Sequence, residues 1–238
     1  MDIANFINIL NDIAPPEFAE DFDENKIGLV IEGRRKIETI ACALDATEYT
    51  VSKAVSENAD ILIVHHTPIW NPVTKISGNL KNILKTALKA DLNIFVMHTN
   101  FDHAEFGINY TLANILGLKK TEKLSLGIIG ECRLTIKEIS DLLGGNLRVY
   151  GNIENINRIA VAGGSGFDTE LIKEAELKGA DAYLSSELKH SVLLSSSIPL
   201  IESTHYALES VGMKALSEKQ GWIYIEDKPI LQTISNNK

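Results

Sequence analysis

One apolar run that ends in two histidines constrains this chain more than any other stretch. Ala59-Asp60-Ile61-Leu62-Ile63-Val64 runs straight into His65-His66-Thr67-Pro68. Consecutive β-favouring residues without alternation are the pattern of a strand covered on both faces, as in a parallel sheet. His65 and His66 then stand at the carboxyl end of that strand, the edge at which open α/β sheets bind ligands. Adjacent residues at a strand end project in different directions. Two neighbouring imidazoles therefore serve two ions, one each, more readily than they grip one together. Taken alone, the pair reads as two surface or core histidines; the rest of the chain decides between the readings.

The surrounding segments supply an α/β rhythm. Ile3, Phe6, Ile7 and Leu10 mark one face of a first helix, which Pro15-Pro16 ends, and the acidic stretch Glu17 to Asn25 reads as a surface loop. A strand over Ile37 to Leu44, a helix N-capped by Thr47 and the His65-His66 strand complete a βαβ unit. After a loop to Gly78 come a helix over Asn79 to Ala90 and a strand over Asn93 to Met97. That strand also ends in polar residues, His98-Thr99-Asn100-Phe101-Asp102-His103, before a helix over Gly107 to Leu116. The Lys-rich connection Gly117 to Ser125 marks a boundary between a lobe of residues 1–120 and one of 121–238.

In the second lobe, strands are expected over Leu126 to Leu134, Leu147 to Tyr150, Ile156 to Ala162, Asp181 to Leu184 and Ile198 to Ile201. Thr135-x-x-Glu138 has the form of a capping box, and Gly144-Gly145 stops the helix it opens. Further helices are expected over Asp168 to Lys178 and Thr204 to Glu218. Two last strands, Trp222 to Ile225 and Ile230 to Ile234, form an edge hairpin that can pack back on the first lobe.

The halves can be laid over each other. Ile40-Ala41-Cys42-Ala43 matches Ile159-Ala160-Val161-Ala162, and Ala59-Asp60-Ile61-Leu62 matches Ala180-Asp181-Ala182-Tyr183. Ile94 to Thr99 corresponds in order to Pro199 to Thr204, with a helix after each. The fold class expected is α/β, with two similar lobes from an internal duplication and a metal site in the cleft between them. His205 and Glu209 lie four apart at a helix start and so share a face, which places an imidazole and a carboxylate side by side.

Val64-His65-His66, His98-Thr99-Asn100-Phe101-Asp102, Ala162-Gly163-Gly164-Ser165-Gly166, Ala180-Asp181-Ala182-Tyr183, Glu187-x-x-His190 and His205-Tyr206-x-x-Glu209 occur in this order. Together they resemble the GTP cyclohydrolase I type 2 homologues, the NGG-one-interacting-factor-three-like proteins. The resemblance implies a dinuclear centre of two divalent ions held by His65, His66, Asp102, His205 and Glu209. It also implies two related α/β lobes and a ring-shaped homohexamer. Five protein ligands are too many for one catalytic ion with an open position but suit two ions sharing a carboxylate. Imidazole and carboxylate suit Zn, Fe, Mn and Ni alike. The chain departs from the family in carrying Ser186 before Glu187, where Gly is usual, and Thr67-Pro68 where many members place Pro directly after the second histidine. It also lacks a domain inserted between the lobes.

His98 and Glu187 are the candidates for proton movement, with helix capping or a solvated pair as the competing reading for Glu187 and His190. His103 stands beside Asp102 as a possible supporting donor, and Asp45 ends the first strand where it could support an imidazole. Gly163-Gly164-Ser165-Gly166 is either a phosphate-binding turn or only a turn; without a following Lys it is not a P-loop. Two function classes stand: a metal-dependent hydrolase of a small molecule, or a metal-binding interaction or chaperone-like protein without turnover. The family's cyclohydrolase name fixes no substrate.

Composition narrows the partners. A net charge of −9 disfavours a phosphate-binding surface, so nucleic acid is not expected as the main partner. Cys42 and Cys132 are the only cysteines, far apart, which fits a reducing cytoplasm and leaves no thiolate zinc site. No secretory leader and no membrane-spanning run is expected.

Overall fold

The structure is a computed structural model that describes residues 1–232. Helix α1 (Ile3–Ile13) is capped by Asp2, whose side chain accepts from the Ala4 N–H at 3.0 Å. The segment after it is a largely exposed surface stretch, as expected, with one exception. It winds through two 3₁₀ turns, Pro16–Phe18 and Asp21–Asp23, and buries Asp23 completely. Local sequence shows only an acidic, polar run there; what buries Asp23 is His98 and Thr99, which lie far along the chain. Strand β1 (Gly28–Ile31) follows, and then β2 (Ile40–Asp45), α2 (Glu48–Ser56) and β3 (Ile61–His66) form the expected βαβ unit. Thr47 caps α2 in a reciprocal box with Thr50. Helix α3 (Gly78–Lys89), β4 (Asn93–Val96), the single-turn α4 (Thr99–His103) and α5 (Ile108–Ile115) complete the first half.

The connection expected at Gly117 to Ser125 contains a strand, β5 (Lys119–Lys123), exposed at every residue. Its lysines protect the free edge of a sheet rather than mark a linker. Then come β6 (Ile128–Leu134), α6 (Ile136–Leu143), β7 (Arg148–Tyr150) and β8 (Ile156–Val161). The Thr135/Glu138 capping box is present, and Gly144 ends α6 in the left-handed conformation. The chain continues through α7 (Thr169–Leu177), β9 (Ala182–Ser185), α8 (His190–Ser195), β10 (Leu200–Glu202), the 16-residue α9 (His205–Gln220) and β11 (Ile223–Tyr224).

Two mixed sheets result, ordered β1-β4-β3-β2-β11 and β5-β6-β8-β9-β10-β7. In the first, β2, β3 and β4 are parallel and β1 pairs antiparallel with β4. In the second, β8, β9 and β10 are parallel and β7 pairs antiparallel with β10. The same four-strand order and directions therefore occur twice. A small device also recurs. Asp60 accepts the Glu38 and Thr39 N–H groups at 2.7 and 2.9 Å, and Asp181 accepts those of Asn157 and Arg158 at 2.8 and 2.9 Å.

The expected terminal hairpin is corrected. Strand β11 does return to the first sheet, but it lies parallel to β2, and Ile230 to Gln232 form no strand. Residues 233 and 234 of that expectation lie outside the described residues. The long helix α9 carries the chain from β10 of the second sheet back to the first, where β11 adds beside β2.

Helices α2 and α3 cover one face of the first sheet through Val51, Ala54, Ile83 and Ala87. Its other face shares a continuous core with the second sheet: Ile61, Ile63 and Phe95 on one side, Ile159, Val161 and Leu184 on the other, with Leu112 of α5 and Leu208 and Met213 of α9 between. Helix α9 carries Gly212 where it crosses α5; a Cβ there would lie 2.6 Å from Ile108 Cγ1. That close crossing brings the start of α9 to the carboxyl ends of β3 and β4.

Candidate metal centre

Strand β3 delivers His65, fully buried, and His66, partly exposed, because its apolar residues are locked between helices and the shared core. Helix α4 follows β4 and carries Asp102, 7% exposed, on its first turn, with His98 at its N-cap. Helix α9 is capped by the Thr204 side chain and presents His205 at its first residue and Glu209 one turn on. Glu209 is 3% exposed although charged.

These side chains converge on one carboxylate. Glu209 Oε2 lies 3.0 Å from His66 Nε2 and 2.8 Å from His205 Nε2, while its Oε1 lies 3.7 Å from His65 Nε2. His65 Nε2 is also 3.7 Å from Asp102 Oδ1. Two clusters share Glu209, one with His66 and His205 and one with His65 and Asp102; a third joins His65, His66 and His98. All five residues expected as ligands stand together, and His98 stands beside them.

The outer nitrogen of each imidazole is occupied. His65 Nδ1 donates to the Met97 carbonyl at 2.8 Å, His66 Nδ1 meets Asp45 Oδ1 at 2.7 Å and His205 Nδ1 meets Glu187 Oε1 at 2.7 Å. His98 Nδ1 is held by both oxygens of Asp23 at 2.8 and 2.9 Å. Such partners fix the tautomer and turn the Nε2 lone pair inward, the arrangement metal-ligating histidines adopt. Glu187 reaches His205 from a left-handed backbone conformation, φ +63°, which is uncommon for a side chain of that size and typical of functionally constrained positions.

The inward atoms are poorly satisfied by the protein itself. His65 Nε2 and Asp102 Oδ1 are buried without hydrogen bonds, and Glu209 Oε2 has only its ion-pair contacts to His66 and His205. The Nε2 atoms of His66 and His205 face each other at 3.3 Å. Burial pushes the pKa of His65 down, outweighing the pull of Glu209, so its Nε2 carries a lone pair. Burial and the neighbouring Glu209 push Asp102 well up. Burial would raise Glu209, but the surrounding histidines outweigh it and hold the carboxyl well down. Burial opposes charge on His66, yet Asp45 and Glu209 prevail and raise it to about 10. Imidazole nitrogens turned toward a shared buried carboxylate, with His65 Nε2 and Asp102 Oδ1 left unsatisfied, are the donor set a divalent cation completes, displacing the proton that His66 otherwise holds against Glu209.

The glycine turn after β8 belongs to this centre. A Cβ on Gly164, at φ +62°, would sit 2.2 Å from Glu209 Oε1 and 3.5 Å from His205 Cε1. Its carbonyl accepts the Ser185 and Ser186 hydroxyls at 3.0 and 2.6 Å. The turn makes room for the shared carboxylate rather than forming a separate pocket. His103 pairs with Glu20 at 2.9 Å and His190 is exposed at the start of α8; neither joins a metal-capable cluster among the described residues. Asp23 escaped sequence reasoning, because nothing in an acidic surface-like run announces a partner 75 residues away.

The fold and this cluster define an α/β protein of two mixed sheets with a His/Asp/Glu site suited to metal. The family model described as Duf34/NIF3 (NGG1p interacting factor 3) matches residues 1–221, and the chain belongs to that family. A relative from Pyrococcus abyssi (strain GE5 / Orsay), named GTP cyclohydrolase 1 type 2 homolog, is 34% identical over 213 residues, covering 82% of this chain and 84% of its own. Reduced HcgD from Methanocaldococcus jannaschii superposes with a TM-score of 0.81 at 26% identity, covering 94% and 96% of the two chains. The Bacillus cereus protein related to NIF3 shares the fold, with a TM-score of 0.86 at 20% identity over 98% and 99% of the chains. Among the described residues, no helix is long and apolar enough to cross a membrane.

Proposed function

We propose that this protein is a dinuclear metal-dependent hydrolase of a small molecule. The observation that carries the reading is Glu209, whose two oxygens address two different sets of inward-facing donors. His65 and Asp102 would hold one divalent ion, His66 and His205 the other, with Glu209 between them. Two such ions supply Lewis acidity and lower the pKa of water.

The remaining work falls to side chains of this chain. Asp45, Glu187 and the Met97 carbonyl orient the ligand imidazoles. His98, fixed at Nδ1 by buried Asp23, keeps Nε2 available beside His65 and His66 to take up or return a proton. Glu187 acts through His205. Substrate reaches the centre where His66 and His205 are partly exposed. A cavity of about 440 Å³ adjoins His66 and Asp45, and one of about 830 Å³ runs from His205 and Glu187 toward Arg148 and Lys214. The repeated strand order and the matching Asp60 and Asp181 devices support an origin by duplication, with one lobe around each sheet.

Assembly into a homohexamer is part of the same reading. Family membership supports it, as do the exposed Leu177 and Leu194, 80% and 74% accessible on the single chain. Sedimentation giving only monomer refutes it. For the function, metal analysis of protein purified without added metal is combined with a panel of nucleotides, phosphoesters and small amides. The expected result is about two ions per chain and metal-dependent turnover of one class. Two bound ions with no turnover across the panel favours a metal-binding interaction or chaperone-like protein without turnover, and fewer than two ends the dinuclear reading.

A further inference from the structure

One buried amide lies behind the ligands without touching any of their donor atoms. Asn109, on the first turn of α5, is 2% exposed. Its Nδ2 donates to the main-chain carbonyl of Asp102 at 3.0 Å, and its Oδ1 accepts the N–H of Gly163 at 2.8 Å. One end of the amide thus holds the residue that supplies a ligand from the first half. The other holds the glycine turn that shapes the space for Glu209 in the second. An N–H on one side and a C=O on the other allow the amide only one orientation.

The packing around Asn109 is equally restrictive. Its neighbour Ile108 fits notches left by two glycines. A Cβ on Gly163 would lie 2.7 Å from Ile108 Cγ2, and one on Gly212 would lie 2.6 Å from Ile108 Cγ1. Gly107 closes α5 against α4, since a Cβ there would overlap the Phe101 carbonyl oxygen at 1.6 Å. Helix α4 is a single turn and so has almost no internal hydrogen bonding to hold Asp102 in place. The His98 carbonyl accepts the Asp102 N–H at 3.2 Å, and Asn109 secures the other side of the residue.

We propose that Asn109 is a positioning residue that sets the spacing between Asp102 and Glu209, so that the ion shared by His65, Asp102 and Glu209 depends on it. The ion shared by His66, His205 and Glu209 depends on it less, because the hydrogen bonds that aim these two histidines come from Asp45 and Glu187, outside α4 and α5. The inference rests on the dinuclear reading above and predicts an asymmetry that a general packing role would not produce. Loss of a purely structural contact weakens both ions through lowered stability of the whole chain.

The test uses full-length apo protein titrated with Mn²⁺, read by elemental analysis and by electron paramagnetic resonance. Wild type is expected to hold about two ions per chain with the spin coupling of ions ~3.5–4 Å apart. Asn109→Ala is expected to hold about one, with the six-line signal of an isolated ion. Asn109→Leu, which keeps the volume and removes both hydrogen bonds, gives the same result if the alanine variant folds poorly. Double variants make the assignment. Asn109→Ala adds nothing to the loss caused by His65→Ala, since both remove the same ion. In the His205→Ala background it abolishes the remaining binding. An Asn109→Ala protein with two coupled ions, or an effect that simply adds to His65→Ala, overturns the proposal alone. Wild type with fewer than two ions overturns the dinuclear reading, and the proposal with it.

Discussion

Replacing Gly164 by alanine should separate metal binding from folding. The new Cβ would stand 2.2 Å from Glu209 Oε1, whereas ordinary contact begins at 3.4 Å, so the carboxylate must move by 1.2 Å (3.4 − 2.2) or the turn must open. The obstacle is the far end of a flexible side chain, so relieving the overlap costs little folding energy. The lasting penalty is the left-handed backbone, φ +62°, worth about 1–2 kcal/mol for a residue with a Cβ. In a chain of this length that lowers Tm by about 2–8 °C. For the ions the displacement is decisive, because ligand distances tolerate only about ±0.2 Å. Metal content should fall from about two ions per chain to below one, since Glu209 serves both. Gly163→Ala is the control. Its Cβ meets Ile108 Cγ2 at 2.7 Å but Glu209 Cγ at an ordinary 3.5 Å, so its strain falls on α5 and the carboxylate is not pressed directly. Calorimetry of the apo proteins and elemental analysis after reloading measure the two effects. A Gly164→Ala protein that binds both ions with wild-type affinity refutes the reasoning.

Further outcomes follow from the same geometry. Asp45→Asn keeps the shape but weakens the partner of His66 Nδ1, and should reduce affinity for the ion at His66 by about 10–100-fold while sparing the other; equilibrium dialysis in competition with a chelator shows whether it does. Glu187→Gln should act likewise through His205, and turnover that falls while ion affinity stays unchanged would instead place Glu187 in the chemistry. Asp60 gives a pH test away from the site: burial opposes its charge, but the Thr39 and Glu38 N–H groups and Arg34 outweigh it and hold its pKa down. Its stabilisation is therefore complete above the unfolded value of about 3.9 and is lost as pH falls through the folded value. Asp60→Asn should cost about 1–3 kcal/mol in urea unfolding at pH 7 and progressively less as pH falls below the unfolded value; a cost that does not decline with pH would exclude the charge as the cause.

The sequence by itself determined what local pattern can carry. An unalternating apolar run announced β3 and placed His65 and His66 at its end, because only a strand buried on both faces tolerates Ile61 to Val64 without a polar residue. The i,i+4 spacing put His205 and Glu209 on one helix face, and Thr135-x-x-Glu138 announced its own capping box, since each depends on residues within one turn. Tertiary structure decided everything that depends on distant partners. Asp23 became the support of His98, Asn109 joined the Asp102 carbonyl to the glycine turn, and Gly164 made space for Glu209. The edge strand β5 is also of this kind, too polar to specify itself and formed because β6 offers unpaired backbone groups, and β11, though expected as a strand, owes its parallel place beside β2 to the tertiary structure. The candidate ligands His65, His66, His205 and Glu209 could be read from the sequence because each sits at the end of a locally encoded element, whereas Asp102 was supplied by the family resemblance. The groups that aim them could not, because their identity is set by which elements the shared core brings into contact.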